Sequence, residues 1–177
     1  MCEHVVEPLW PLVVPIADLQ LDPRNARKHD ERNLESIAAS LRQFKQRTPI
    51  VVNRNGRVVI KGNGTLLAAK SLGWTRIAAV FVEDDQTTQT GYAIADNRTA
   101  ELADWDEELL AQQLQELTSL DFDIESIGFD EAELNELIYQ STGQNPGRPG
   151  RTDEDAVPET PKESKTQPGD LWQLGEH

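Results

Sequence analysis

The sequence predicts an α/β (α+β) fold, and three stretches carry that prediction. Arg57–Ile60 is β-branched, Lys61-Gly-Asn-Gly-Thr65 is a glycine turn, and Leu66–Trp74 is Ala/Leu-rich as far as Gly73, which together read as strand, turn and short helix. Arg76–Val82 is a second β-rich run directly behind that helix. Pro49–Asn53 precedes Arg57–Ile60 across Asn55-Gly56, the two-residue signal of a β-hairpin.

Taken in order, residues 1–10 carry no pattern, and Leu12–Ile16 reads as a first strand. Asp18–Asn25 turns at Pro23 into a basic loop, Arg24–Lys28. Leu34, Ile37, Ala38, Leu41 and Phe44 then fall at helical spacing, with Asp30 placed as the N-cap. After the hairpin, the glycine turn and the strand at 76–82, an acidic Thr-rich connection (Glu83–Thr88) leads to a helix over about 88–102.

Two further helices are expected. One is capped near Asp104 or Asp106 and carries Leu109, Leu110, Leu114 and Leu117. The other starts at Asp130, with Glu133 three residues on as a capping box, and carries Leu134, Leu137 and Ile138. From Ser141 the chain turns to Pro, Gly, Glu, Thr and Lys, a composition that buries too little apolar surface to offset its chain entropy, so a disordered linker is expected. Gly169–His177 regains apolar residues, which suggests a downstream domain beyond it. The expected organisation is a lobe over 1–102, a helical extension over 103–140 and a linker over 141–177.

Charge separates these parts. The chain has a formal charge of −14, yet residues 24–76 hold 12 basic side chains against three acidic ones, while 101–177 hold four against 20. A basic middle and an acidic rear suit a phosphate-bearing partner at the middle; a solvated surface gives the same count. Cys2 is the single cysteine, and His4, His29 and His177 are isolated, so neither a disulfide framework nor a zinc site is indicated. No apolar run reaches membrane-spanning length and no leader pattern is present, which makes the cytoplasm the expected location and gives no reason to expect a membrane partner.

The turn at 62–65 lies where a helix begins, with unpaired N–H groups and the positive end of the helix dipole, and its glycines allow an anion to approach. A phosphate is the simplest ligand. A purely architectural turn fits the same spacing.

In this arrangement, Pro23-Arg-Asn-Ala-Arg27, the helix from Leu34 to Leu41, Gln46 ahead of Pro49-Ile-Val-Val52, the glycine turn with Ala68, Ala69 and Gly73, and Asp96-Asn97 stand in the order of a known family. The chain resembles the ParB/sulfiredoxin superfamily, specifically the ParB-like N-terminal domain, over roughly residues 12–102. The resemblance implies a small mixed sheet with flanking helices. Ala95-Asp-Asn-Arg98, Ala100–Asp106 and Gly169-Asp-Leu-Trp-Gln-Leu-Gly175 also look like phage and bacterial proteins in which such a domain precedes a DNA methyltransferase. None of the methyltransferase's own motifs lies within the chain, so no methyl transfer is assigned to it.

The resemblance implies CTP, or another nucleoside triphosphate with Mg2+, at the turn, with Arg24, Arg27, Lys61, Gly62, Asn63, Gly64, Thr65, Asn97 and Arg98 around the phosphates, Lys28 adding charge and Asp96 at the metal. It also implies DNA, reached directly or through the downstream domain, and is compatible with a homodimer. The chain departs from the pattern: CTP-binding relatives carry Gly-Glu-Arg-Arg where this one has Gly62-Asn-Gly-Thr65, and Arg98 follows its acid-amide pair more closely than the family's arginine. A hydrogen bond from a charged group contributes roughly 1.5–3 kcal/mol. Losing two weakens binding about a hundredfold to ten-thousandfold unless Lys61, Arg24, Arg27 or Arg98 compensates.

The sulfiredoxin branch requires a cysteine in this turn, and none is there, which excludes sulfinic-acid repair. Two alternatives remain: a metal-dependent ParB-like nuclease, for which Asp96 and Glu83-Asp-Asp85 are the available carboxylates, and a noncatalytic adaptor or oligomerisation module. No helix-turn-helix pattern is evident after residue 102.

Overall fold

The β-branched runs assemble first around the hairpin. In the computed structural model, which describes residues 2–142, β3 (Ile50–Asn53) and β4 (Val58–Lys61) pair antiparallel. The Asn-Gly turn closes them, with Gly56 and Arg57 both at positive φ. β5 (Arg76–Val82) lies parallel to β3, with Ile50 opposite Ala79, because a helix crosses over between the hairpin and β5. β1 (Val13–Pro15) and β2 (Gln20–Leu21) are short edges that complete the order β1-β5-β3-β4-β2. Parallel and antiparallel pairs together make the sheet mixed, as expected.

The α-helices are α1 (Glu31–Phe44), α2 (Asn63–Ser71), α3 (Gln86–Glu101), α4 (Glu107–Ser119) and α5 (Glu131–Thr142). Ile50, Val52, Val59, Leu66, Ala69, Ile77 and Ala79 form the central core between the sheet and α2. Ala38 and Leu41 of α1 pack on Ala68, so two small side chains let these helices approach. α4 and α5 bury Leu110, Leu114, Leu134 and Ile138 in a separate small core. Their link to the lobe is α1: Phe44 stacks on Phe122 at 6.0 Å, and Arg32 holds Asp130 and Glu133 at 3.2 and 2.6 Å.

Several boundaries differ from the sequence expectations. Residues 1–10 are not featureless: Val5 is buried and bridges Gln46, and a 3-10 helix spans Glu7–Leu12. Trp10 donates to the Val5 carbonyl and His4 stacks on Trp74, contacts made across the fold that no local pattern announces. α2 begins at Asn63, two residues before Thr65, because Gly62 takes a left-handed conformation and is itself the N-cap. α3 begins at Gln86, capped by Asp85, and α5 continues to Thr142. The linker expectation falls, after Thr142, outside the described residues. Among those described, no helix is long and apolar enough to cross a membrane.

Candidate functional site

Gly62 fixes the geometry of the turn. Its φ is +94°, and a Cβ there would stand 2.5 Å from Ile50 Cγ2, so the backbone passes where a side chain cannot. Gly64 is equally tight on another side, with a Cβ position 2.7 Å from the His29 ring. The two glycines thereby let the start of α2 sit between β3 and the loop leading into α1.

α2 also differs at its first turn. Among the described residues, acidic side chains cap the other four α-helices: Asp30 on α1, Asp85 on α3, Asp106 on α4 and Asp130 on α5. No side chain caps α2. Its first N–H groups therefore have no intrahelical or side-chain acceptor, while the helix dipole places positive charge there.

Asn63, expected to face a phosphate, turns inward instead. It is buried; its Oδ1 accepts from the Asp22 N–H at 3.0 Å and its Nδ2 donates to the Val59 carbonyl at 3.0 Å. The side chain ties the end of β2 to the hairpin and the helix start. That use accounts for an amide at a position where relatives carry an acid, since an acid has no N–H for Val59.

The charged residues converge on α3. Lys61 Nζ donates to Asp96 Oδ1 at 2.6 Å, and this bond raises the lysine above its ordinary pKa against the opposing effect of burial. Arg27 reaches Glu101 at 2.8 Å, and Arg98 lies 3.5 Å from the same carboxylate. Asn97 donates to the Ala93 carbonyl one helical turn back. Arg24 and Lys28 make no ion pair among the described residues, and the Arg24 N–H is held by Asp22. Thr65 is half-buried at the mouth of a cavity of about 610 Å3 that also takes in Ser36, Ser40, Lys45 and Arg47.

The tertiary fold thus brings Lys61, Asp96, Arg27 and Arg98 together through α3, and directs Asn63 away. Glu101 was missed by sequence reasoning. Its only signal was a place one helical turn after Asn97-Arg98. Among the described residues, no group of three or more His, Cys, Asp or Glu side chains converges in a way that could hold a metal.

Comparison with known proteins follows the same outline. The ParB N-terminal domain model matches residues 10–98, and the ParB-methyltransferase HTH domain model matches residues 108–168. The second match corrects the expectation that no helix-turn-helix pattern follows residue 102. It was hard to see because α4 and α5 are separated by Leu120–Asp130 rather than a tight turn, and carry no basic side chain.

Among solved structures, the C-terminally truncated chromosome-partitioning protein ParB from Caulobacter crescentus complexed with CTP-γ-S superposes with a TM-score of 0.61 at 21% identity, covering 71% of this chain and 75% of that one. The same ParB complexed to the centromeric parS site gives 0.41 at 20% identity over 71% and 69% of the two chains. Sulfiredoxin from Arabidopsis thaliana gives 0.38 at 20% identity over 48% and 98%. No curated protein matches the sequence. With the ParB N-terminal model spanning half the sequence and the sheet order and glycine turn in place, the chain belongs to the ParB N-terminal domain family.

Proposed function

We propose that this lobe is a phosphate-reading, DNA-associated module. The turn at Gly62–Thr65 takes the phosphates of a nucleoside triphosphate, CTP foremost, or of DNA, and the lobe serves a DNA-modifying domain downstream. The observation that carries this reading is the uncapped N-terminus of α2, two residues after Lys61, among described residues whose other α-helices are all acid-capped. The fold shared with a ParB solved with CTP-γ-S supports the nucleotide, and the match to a ParB-methyltransferase HTH domain supports the DNA context.

In this reading Lys61 exchanges Asp96 for a phosphate oxygen, and Arg27, Arg98 and Arg24 supply charge in place of the two absent arginines. Asp96 offers one carboxylate, which suits Mg2+ brought in with a triphosphate better than Mg2+ held by protein ligands alone. The metal would neutralise phosphate charge. The protein groups bind and orient.

Calorimetric titration of the full chain with CTP, ATP and GTP in magnesium tests the reading. One nucleotide should bind, and Lys61→Ala should weaken it about tenfold, the loss of one charge-assisted hydrogen bond. An absence of binding by all three, together with DNA affinity indifferent to Lys61→Ala, would falsify it.

A second reading, the noncatalytic adaptor, rests on the pairing of Lys61 and Arg27 with acids of α3. It leaves the turn as architecture. The homodimer that the family resemblance allows belongs to this reading, and sedimentation velocity with and without nucleotide measures that mass.

A further inference from the structure

The second small core carries a surface unlike the rest of the chain. Residues 101–142 hold 13 Asp and Glu side chains and no Lys, Arg or His. Between the C-terminal half of α4, the connection and α5 lies an open groove of about 720 Å3. Phe122, Ile124 and Leu134 line its apolar part, and Asp123, Glu125 and Glu131 line its acidic part. Glu125 and Glu131 are exposed and make no ion pair among the described residues, unlike Asp130 and Glu133, which Arg32 holds.

We propose that this groove docks a basic amphipathic helix of a partner protein, so that the described part of the HTH-matched region is a protein-binding surface and not a nucleic-acid reader. Charge complementarity selects the partner. DNA binding is dominated by cations placed against phosphates, and these two helices carry none, so their field repels a duplex. The apolar floor requires more than positive charge. It fits a helix that lays an apolar stripe into the groove while its Lys and Arg side chains meet the acidic rim, the helix-in-groove mode of recognition. This inference stands apart from the phosphate reading, because its residues lie on different elements from the turn.

The test uses the full chain and two labelled synthetic peptides of equal charge, one an amphipathic Leu/Lys helix and the other a Ser/Lys peptide without an apolar face. The helical peptide should bind at least tenfold more tightly. Paired reversal Glu125→Lys with Glu131→Lys should weaken it about tenfold or more, whereas the control pair Asp104→Lys with Glu107→Lys, outside the groove, should change it less than threefold. Equal binding of both peptides, equal losses from both pairs of reversals, or occupation of the groove by a second copy, seen as a concentration-dependent dimer that Glu125→Lys with Glu131→Lys dissociates, would each overturn the proposal. Lost binding counts only where circular dichroism of the variant retains the native helical signal. Ile124→Ser, which removes apolar lining and no charge and leaves the Phe44–Phe122 stack in place, gives an independent reading: weaker binding of the helical peptide supports the proposal, and unchanged binding overturns it.

Discussion

Gly62 shows how one residue fixes the candidate site. Gly62→Ala must adopt an unfavourable positive φ, at about 1–2 kcal/mol, and must displace Ile50, at about 1–3 kcal/mol, so a destabilisation of about 2–5 kcal/mol is expected in urea unfolding. Gln46 is the comparable residue on the other side of the sheet. Its Oε1 accepts from the Ala78 N–H at 2.7 Å, and its Nε2 donates to the Ala78 and Thr48 carbonyls at 2.9 and 3.1 Å. Just before β3, where Pro49 offers no N–H, this side-chain amide does the work of a peptide group for β5. Gln46→Ala leaves both polar groups of Ala78 without that partner in a buried position, and about 2–5 kcal/mol should be lost, again readable in urea. The resemblance had placed Gln46 ahead of β3, but Ala78 lies 32 residues away and no spacing rule names it.

Among the described α-helices, α3 is the one held most weakly by packing. Gln89 is its only fully buried residue, bonded to Asn53 at 3.0 Å, and much of its remaining attachment is electrostatic, through Lys61–Asp96 and Arg27–Glu101. Local opening follows sparse apolar burial. Amide exchange in α3 should therefore be faster than in α1 or α2, and faster still in Asp96→Ala, as measured by hydrogen exchange. Because Lys61 is raised above its ordinary 10.5, its pairing contributes below that value and is lost as pH rises through the higher folded one, so α3 protection should fall in strong alkali.

α5 behaves oppositely. Glu133 is held below its ordinary 4.5, first by the Asp130 N–H and then by Arg32. Its contribution is present above that value and is lost as pH falls through the lower folded one. Acidification from pH 4.5 downward should progressively loosen the start of α5, and Glu133→Gln should remove that pH dependence from the exchange of α5 amides. Both caps, Asp30 and the Asp130/Glu133 box, were legible in the sequence because a capping carboxylate and the N–H it accepts from lie three residues apart.

For the whole molecule, charge is divided along the chain: the cations concentrate between residues 24 and 76, the acids on α4 and α5. DNA binding should fall steeply as salt rises, and Lys61→Ala, Arg24→Ala and Arg27→Ala should each flatten the salt slope by about one. Gel-shift titration over a salt series reads both effects. The α/β class, the hairpin strands, the caps Asp30, Asp106 and Asp130, the glycine turn and the charge division could all be read along the chain, because these depend on side-chain periodicity, on residues three or four apart, or on composition. Packing between elements fixes that Asn63 turns inward, that Asp96 and Glu101 pair with Lys61 and Arg27, and that an acidic groove lies between α4 and α5. Those contacts join residues 41, 35 and 74 positions apart across separately folded elements, and chain direction there is set by core packing that no local pattern encodes.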